Sequence, residues 1–169
     1  MWFFGATVIL SSCKKDEDVD DTTPPVTPPG TVVVSSNITS NTTWTAGTIY
    51  QLAGRITVAA GATLTIEPGT IIKGEAGTGA NATALLVARG GKLNANGTAT
   101  APIIFTSVAD ELDYADMAAG NFASPNLEST VNGLWGGVII LGKAPISASN
   151  DVGDVSEVQI EGIPTSDSN

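Results

Sequence analysis

A repeat at an interval of 29 residues limits the folds open to this chain. Val58-Ala59-Ala60-Gly61-Ala62-Thr63-Leu64 aligns with Val87-Ala88-Arg89-Gly90-Gly91-Lys92-Leu93, so Val, Gly and Leu recur together at that offset. Around them lie very short β-rich runs parted by Gly, Asn and Pro. Ile56-Thr57-Val58, Leu64-Thr65-Ile66 and Ile71-Ile72 form one trio; Leu85-Leu86-Val87, Leu93-Asn94-Ala95 and Ile103-Ile104-Phe105 form a second. Runs this short cannot pair into long hairpins. Each turns one or two aliphatic side chains inward by its alternation. A period in the twenties to low thirties with three short strands predicts a solenoid, with each strand stacked on its equivalent in parallel sheets. Glycine at the corners supplies the positive φ of a sharp turn. With aromatics at only 5%, the composition suits thin repeated layers better than a core of large rings.

The repeat sets the expected organisation. A third coil is predicted to begin at Trp135-Gly136-Gly137-Val138-Ile139-Ile140-Leu141-Gly142, after a loop of about 107–134 rich in Asp, Ala, Asn and Ser. Val155 to Ile163 alternates again and predicts another strand. The sequence then stops at Asn169 without a cap, which predicts a solenoid incomplete at its C-terminus, a fragment of a longer protein. The competing fold is an antiparallel sandwich. It would be signalled by Asn-Gly hairpins, yet Asn96-Gly97 and Asn132-Gly133 do not join two clear strands.

The N-terminal 36 residues read differently. Trp2 to Leu10 is apolar for nine residues, well short of the about 20 that a spanning helix needs. It reads as the apolar segment of a signal peptide. The basic segment that normally precedes such a run is absent, so the true start is expected upstream. Leu10-Ser11-Ser12-Cys13 resembles the cleavage and acylation box of bacterial lipoproteins. The small Ser11 and Ser12 suit a narrow peptidase site, and the Cys13 thiol and freed amine take the acyl chains. Each buried CH₂ adds roughly 0.8 kcal/mol of membrane affinity, so several chains anchor firmly. Thr22 to Gly30 holds four prolines in nine residues and reads as an extended spacer. The expected divisions are a signal peptide at 1–12, an acidic and proline-rich tether at 13–36, and β-helix coils at 37–169.

Charge and composition exclude several chemistries. The net charge is −10, and the chain has a single Cys and no His. Neither an internal disulfide, a His-ligated zinc nor a Ser-His pair is available. An acidic chain without a basic stripe repels phosphate backbones, which argues against nucleic acid as a partner. No cofactor is expected.

Tyr50-Gln51-Leu52-Ala53-Gly54-Arg55-Ile56-Thr57-Val58, Gly61 through Thr70, Pro102-Ile103-Ile104-Phe105-Thr106-Ser107 and Gly133-Leu134-Trp135-Gly136-Gly137 together resemble the opening coils of Bacteroidota surface lipoproteins with a right-handed parallel β-helix of the pectin-lyase-like fold. The resemblance runs from about Ile38 to the end and implies an all-β, single-stranded β-helix that continues for further coils. Lys14-Lys15-Asp16-Glu17-Asp18 likewise resembles the export signal of that group, Lys15, Asp16, Glu17 and Asp18 lying just after the acylated Cys13. It implies an outer-membrane protein held by lipid and facing outward. The family implies no reaction.

Candidate sites follow from side-chain chemistry. Asp110, Glu111, Asp113 and Asp116 crowd the inserted loop as hard oxygen donors of the kind Ca²⁺ takes, without the spacing of a calcium loop. Lys73, Arg89, Lys92 and Lys143, with Glu75, are the base and acid candidates of a polysaccharide lyase. Lys73 and Glu75 flank Gly74 and are expected on one face, but no acid cluster matches a base, so no catalytic residue is assigned. Trp44, Tyr50, Tyr114 and Trp135 are rings able to stack on sugars. Of these, Trp44 and Trp135 are the candidate glycan contacts; covering the first coil and packing the loop base are their structural alternatives. Asn37, Asn41, Asn81 and Asn96 stand in Asn-x-Thr triplets and read as turn residues. The expected function is a non-enzymatic surface module that binds glycan or a surface protein. The alternatives are a carbohydrate-active enzyme whose site lies in further coils, and an adhesin or stalk.

Overall fold

A computed structural model describes residues 30–160. The described residues form twelve strands, none longer than four residues: β1 (Thr31–Val34), β2 (Thr42–Trp44), β3 (Ile49–Leu52), β4 (Arg55–Val58), β5 (Thr63–Ile66), β6 (Ile71–Gly74), β7 (Ala84–Val87), β8 (Lys92–Ala95), β9 (Ile104–Ser107), β10 (Val138–Ile140), β11 (Ala148–Asn150) and β12 (Gly153–Val155). Ten of them form three parallel sheets: a first of order β1-β3-β6-β9, a second of order β4-β7-β10 and a third of order β2-β5-β8. Ile38 bridges Val58 and stands in for a strand of the second sheet in the first coil. The molecule is a parallel β-helix of four successive coils, and the antiparallel sandwich is excluded.

The 29-residue repeat is the rung spacing between the second and third coils in the second and third sheets. Val58 lies opposite Val87 and Leu64 opposite Leu93 in parallel register. The corner between them repeats as well. Ala62 N–H donates to Ala59 O, and one coil later Gly91 N–H donates to Ala88 O; Gly61 N–H reaches up to Gly90 O at 2.9 Å. Gly61 and Gly90 have φ of +84° and +94°, a conformation that side chains resist. Inward positions form columns: Tyr50 with Ile72 and Phe105, Ile56 with Leu85, Val58 with Val87, and Leu64 with Leu93. Most are fully buried. Burying such a side chain contributes roughly 1.5–3 kcal/mol each, and no coil buries its inward residues without the next.

Three features differ from the sequence reading. The stack begins at Thr31, ahead of the expected boundary at residue 37. Four residues that have no partner of their own become β1 because β3 offers an edge. The interruption of the fourth coil runs from 108 to 137 and carries a one-turn helix, α1 (Tyr114–Ala118), capped by Asp113 and Asp116 in a reciprocal capping box. Of the strand expected from Val155 to Ile163, Val155 instead closes an antiparallel hairpin of β11 and β12, 156–160 form no strand, and 161–163 lie outside the described residues. Asn150 causes the reversal: its Oδ1 accepts from the N–H groups of Val152 and Gly153, at 2.9 and 3.1 Å.

Candidate functional site

The outer face of the first sheet carries the densest set of polar side chains in specific bonds. Because Tyr50, Ile72 and Phe105 point inward, alternation turns Ile49, Ile71 and Ile104 outward in one row and Gln51, Lys73 and Thr106 in another. The inserted segment is fastened to this face. Lys73 Nζ donates to the Asp110 main-chain carbonyl at 2.6 Å, and Thr106 Oγ1 donates to Asp110 Oδ2 at 2.6 Å. Asp110 Oδ1 accepts from Ser124 Oγ at 2.7 Å and from Leu112 N–H at 2.9 Å. Burial by itself would raise the Asp110 carboxyl. The bonds from Thr106, Leu112 and Ser124, with the Lys73 charge, outweigh it and hold the group below its ordinary range.

Four residues further on, Tyr114 lies against the same sheet. Its Oη donates to Thr48 O at 2.8 Å and accepts from Ile71 N–H at 3.3 Å. Burial pushes its phenol above the ordinary value, so the group stays protonated and able to donate. Between the two fastenings Leu112 is 0% exposed, as is Ile71 although its side chain faces out. The segment from Asp110 to Tyr114 therefore roofs the middle of the outward isoleucine row at Ile71, while Ile49 and Ile104 stay partly exposed.

This arrangement decides what the candidate residues do. Asp110 is a buried structural acid, and Asp113 and Asp116 close the N-terminus of α1. Among the described residues no group of three His, Cys, Asp or Glu gathers where it could hold a metal ion, so the loop acids Asp110, Glu111, Asp113 and Asp116 do not converge as a calcium site requires. Lys73 and Glu75 share the outer face as expected, but each has its own partner: Lys73 holds Asp110, and Glu75 Oε1 accepts from Gln51 Nε2 at 2.8 Å. Arg89 pairs with Glu157. Lys143 reaches over Gly90 at the corner between β7 and β8, and Lys92 lies exposed on β8.

The two tryptophans part ways. Trp44 is 3% exposed and stacks on Tyr50 with ring centroids 4.8 Å apart. It closes the first coil from within, and so buried a ring presents no face to a sugar. Trp135 packs against the core where the chain re-enters the stack, its ring lying on Gly74, where an added Cβ would come within 2.3 Å of Trp135 Cε3. Asn37 and Asn41 are more than turn residues: their Oδ1 atoms accept from Thr57 N–H at 2.9 Å and Thr63 N–H at 3.0 Å, taking the place of backbone acceptors in the thin first coil. Sequence reasoning misses the fastening role of Tyr114 and the close approach at Gly74. Tyr114 gives no local signal, since its partners lie 43 and 66 positions away. Gly74 does give one, as a glycine set between the expected strand Ile71-Ile72 and a charged residue on either side. Leu10, Ser11, Ser12, Cys13, Lys15, Asp16, Glu17 and Asp18 lie outside the described residues.

Residues 36–169 match the model of a family of stacked parallel coils, the pectate-lyase-like β-helix domain. The chain belongs to this pectate-lyase-like β-helix family. No curated protein and no solved structure matched it. The roof of this β-helix domain, Asp110 to Tyr114, is built from residues outside the repeat.

Proposed function

We propose that this β-helix is a lipid-anchored module of the outer-membrane surface, facing outward, with a binding or structural role toward glycans or other surface components. The reading of its address rests on the sequence: Cys13 is the sole cysteine, follows Leu10-Ser11-Ser12 at the end of an apolar run, and precedes Asp16, Glu17 and Asp18 and then a proline-rich spacer. The observation that carries the non-catalytic role is the engagement of the outer-face charges. Lys73, Asp110 and Glu75 are each held in structural contacts, which favours a structural use of these side chains. The last coil supports the presence of further coils. Val138 and Ile140 occupy inward columns above Leu85 and Val87, yet are 38% and 67% exposed. Another coil laid on β9, β10 and β8 would bury them.

The family description favours one rival, a carbohydrate-active enzyme whose acids and base lie in such further coils. Protease treatment of intact cells, with acyl-chain labelling of the chain and of a Cys13→Ala variant, tests the address. Labelling that depends on Cys13 and cleavage without lysis are expected; protection until lysis contradicts outward display. Incubation of the full-length protein with a polysaccharide panel separates the roles. Retention without new reducing or unsaturated ends supports binding, and new ends support the rival.

A further inference from the structure

We propose that the inserted segment is a staple joining coils that are not neighbours, so that the second, third and fourth coils open as one unit. In a solenoid each repeat contacts only its neighbours, and an end coil is free to peel away by itself. Here the fourth coil begins with β9, and its insertion turns back down the stack. Asp110 joins Thr106 of the fourth coil to Lys73 of the third. Tyr114 goes one coil further, to Thr48 at the entry of the second.

The chemistry of the Tyr114 contact is that of a ladder bond. At the entry of each strand in the first sheet, an N–H donates to the carbonyl below: Ile49 N–H to Gly30 O at 3.2 Å, and Ile104 N–H to Thr70 O at 3.0 Å. At the middle step the equivalent groups are Ile71 N–H and Thr48 O, and Tyr114 Oη stands between them, accepting from one and donating to the other. A side chain of the fourth coil has become part of the main-chain ladder between the second and third. The fourth coil cannot lift off without breaking both bonds of Tyr114 Oη and uncovering Leu112 and Ile71.

Three amides at one column report on the three steps: Val108 N–H bonds Gly74 O, Glu75 N–H bonds Leu52 O, and Ala53 N–H bonds Val34 O, at 3.0, 3.0 and 2.9 Å. Native-state hydrogen exchange on the full chain, followed residue by residue across low urea concentrations, reads their openings. In the unmodified chain Val108 and Glu75 are expected to share one opening with the same urea dependence. In Tyr114→Phe, Ile71 and Val108 are expected to exchange about tenfold faster or more, the effect of losing both hydrogen bonds of Tyr114 Oη, with Ala53 unchanged. A Val108 amide that opens by itself in the unmodified chain overturns the staple, as does a Tyr114→Phe chain in which Val108 and Glu75 still open together at the original rate. Should Tyr114→Phe not fold, Thr106→Val acts on the same staple through the Asp110 fastening. Faster exchange at Val108 then supports the staple, and a shared opening at the original rate overturns it.

Discussion

The first and third sheets derive from one repeat, yet their outer faces have opposite fates. In the first, the outward Ile71 is sealed beneath Leu112 and Tyr114, and Lys73 and Thr106 are bonded to Asp110. In the third, the outward row of Thr43, Thr65 and Asn94 is open, with Thr43 and Asn94 exposed. Their inner faces are alike, with Leu64 and Ile72 both fully buried. The inward half of each strand is fixed by stacking like on like. The outward half depends on where the coil is interrupted and where the interruption returns.

The sharpest way to break this contrast is to compare neighbours on one strand. Leu64→Ala empties an inward column and is expected to destabilise by about 2–5 kcal/mol, whereas Thr65→Ala, one residue on and facing out, is expected to change stability by about 0.5 kcal/mol or less. Urea denaturation of the two variants checks this, and similar losses at both would show that the third sheet is covered after all. Next in size is Gly74→Ala. Its new Cβ meets the Trp135 ring at 2.3 Å, and overpacking of this kind costs about 1–3 kcal/mol. Thermal unfolding reads the loss; a neutral result would place Trp135 off the Gly74 backbone.

A pH series sharpens the other side of the contrast. The Asp110 carboxyl is held below its ordinary value of 3.8 in the fold, so its contribution is fully present above that value and disappears as pH falls through the lower, folded-state value. Urea midpoints for Asp110→Asn are expected to lie below those of the unmodified chain at about pH 6 and to converge with them in strong acid. A constant gap at every pH would show that the carboxylate charge has no part in fastening the roof. A smaller loss than at Leu64 is expected at Asn41, whose Oδ1 serves Thr63 N–H at a partly open edge. Asn41→Ala is expected to cost about 1 kcal/mol, confined in exchange experiments to the first two coils.

What is legible in the sequence follows the same division. Val58 with Val87, and Leu64 with Leu93, are readable because the second and third coils are of equal length over this stretch, so their inward aliphatics and the Gly61 and Gly90 corners recur at one offset. The interrupted coil is readable from Trp135 onward for the same reason. β1 is not, because Thr31 to Val34 has no periodic signal of its own and becomes a strand only on the edge of β3. The hairpin at Asn150 is hidden by an alternating pattern that suits parallel and antiparallel strands equally. The roof is illegible in principle: Tyr114 is one tyrosine in a polar loop, and its role exists only once winding brings Thr48 and Ile71 beneath it. At Trp44 the sequence offers two readings, a glycan contact or a cover for the first coil, and the buried stack on Tyr50 decides for the cover.

Parallel stacking in the 29-residue register can be probed by a single disulfide. Thr65 and Asn94 are partners on adjacent parallel strands with both side chains outward, at a separation between neighbouring strands of about 4.8 Å, within the usual range for bridging. With Cys13 replaced by Ser, a Thr65→Cys, Asn94→Cys chain is predicted to form an intramolecular disulfide under mild oxidation while keeping its native exchange pattern. If these two cysteines stay reduced, while a Thr65→Cys, Lys92→Cys chain oxidises readily under the same conditions, the register and the β-helix built upon it are contradicted.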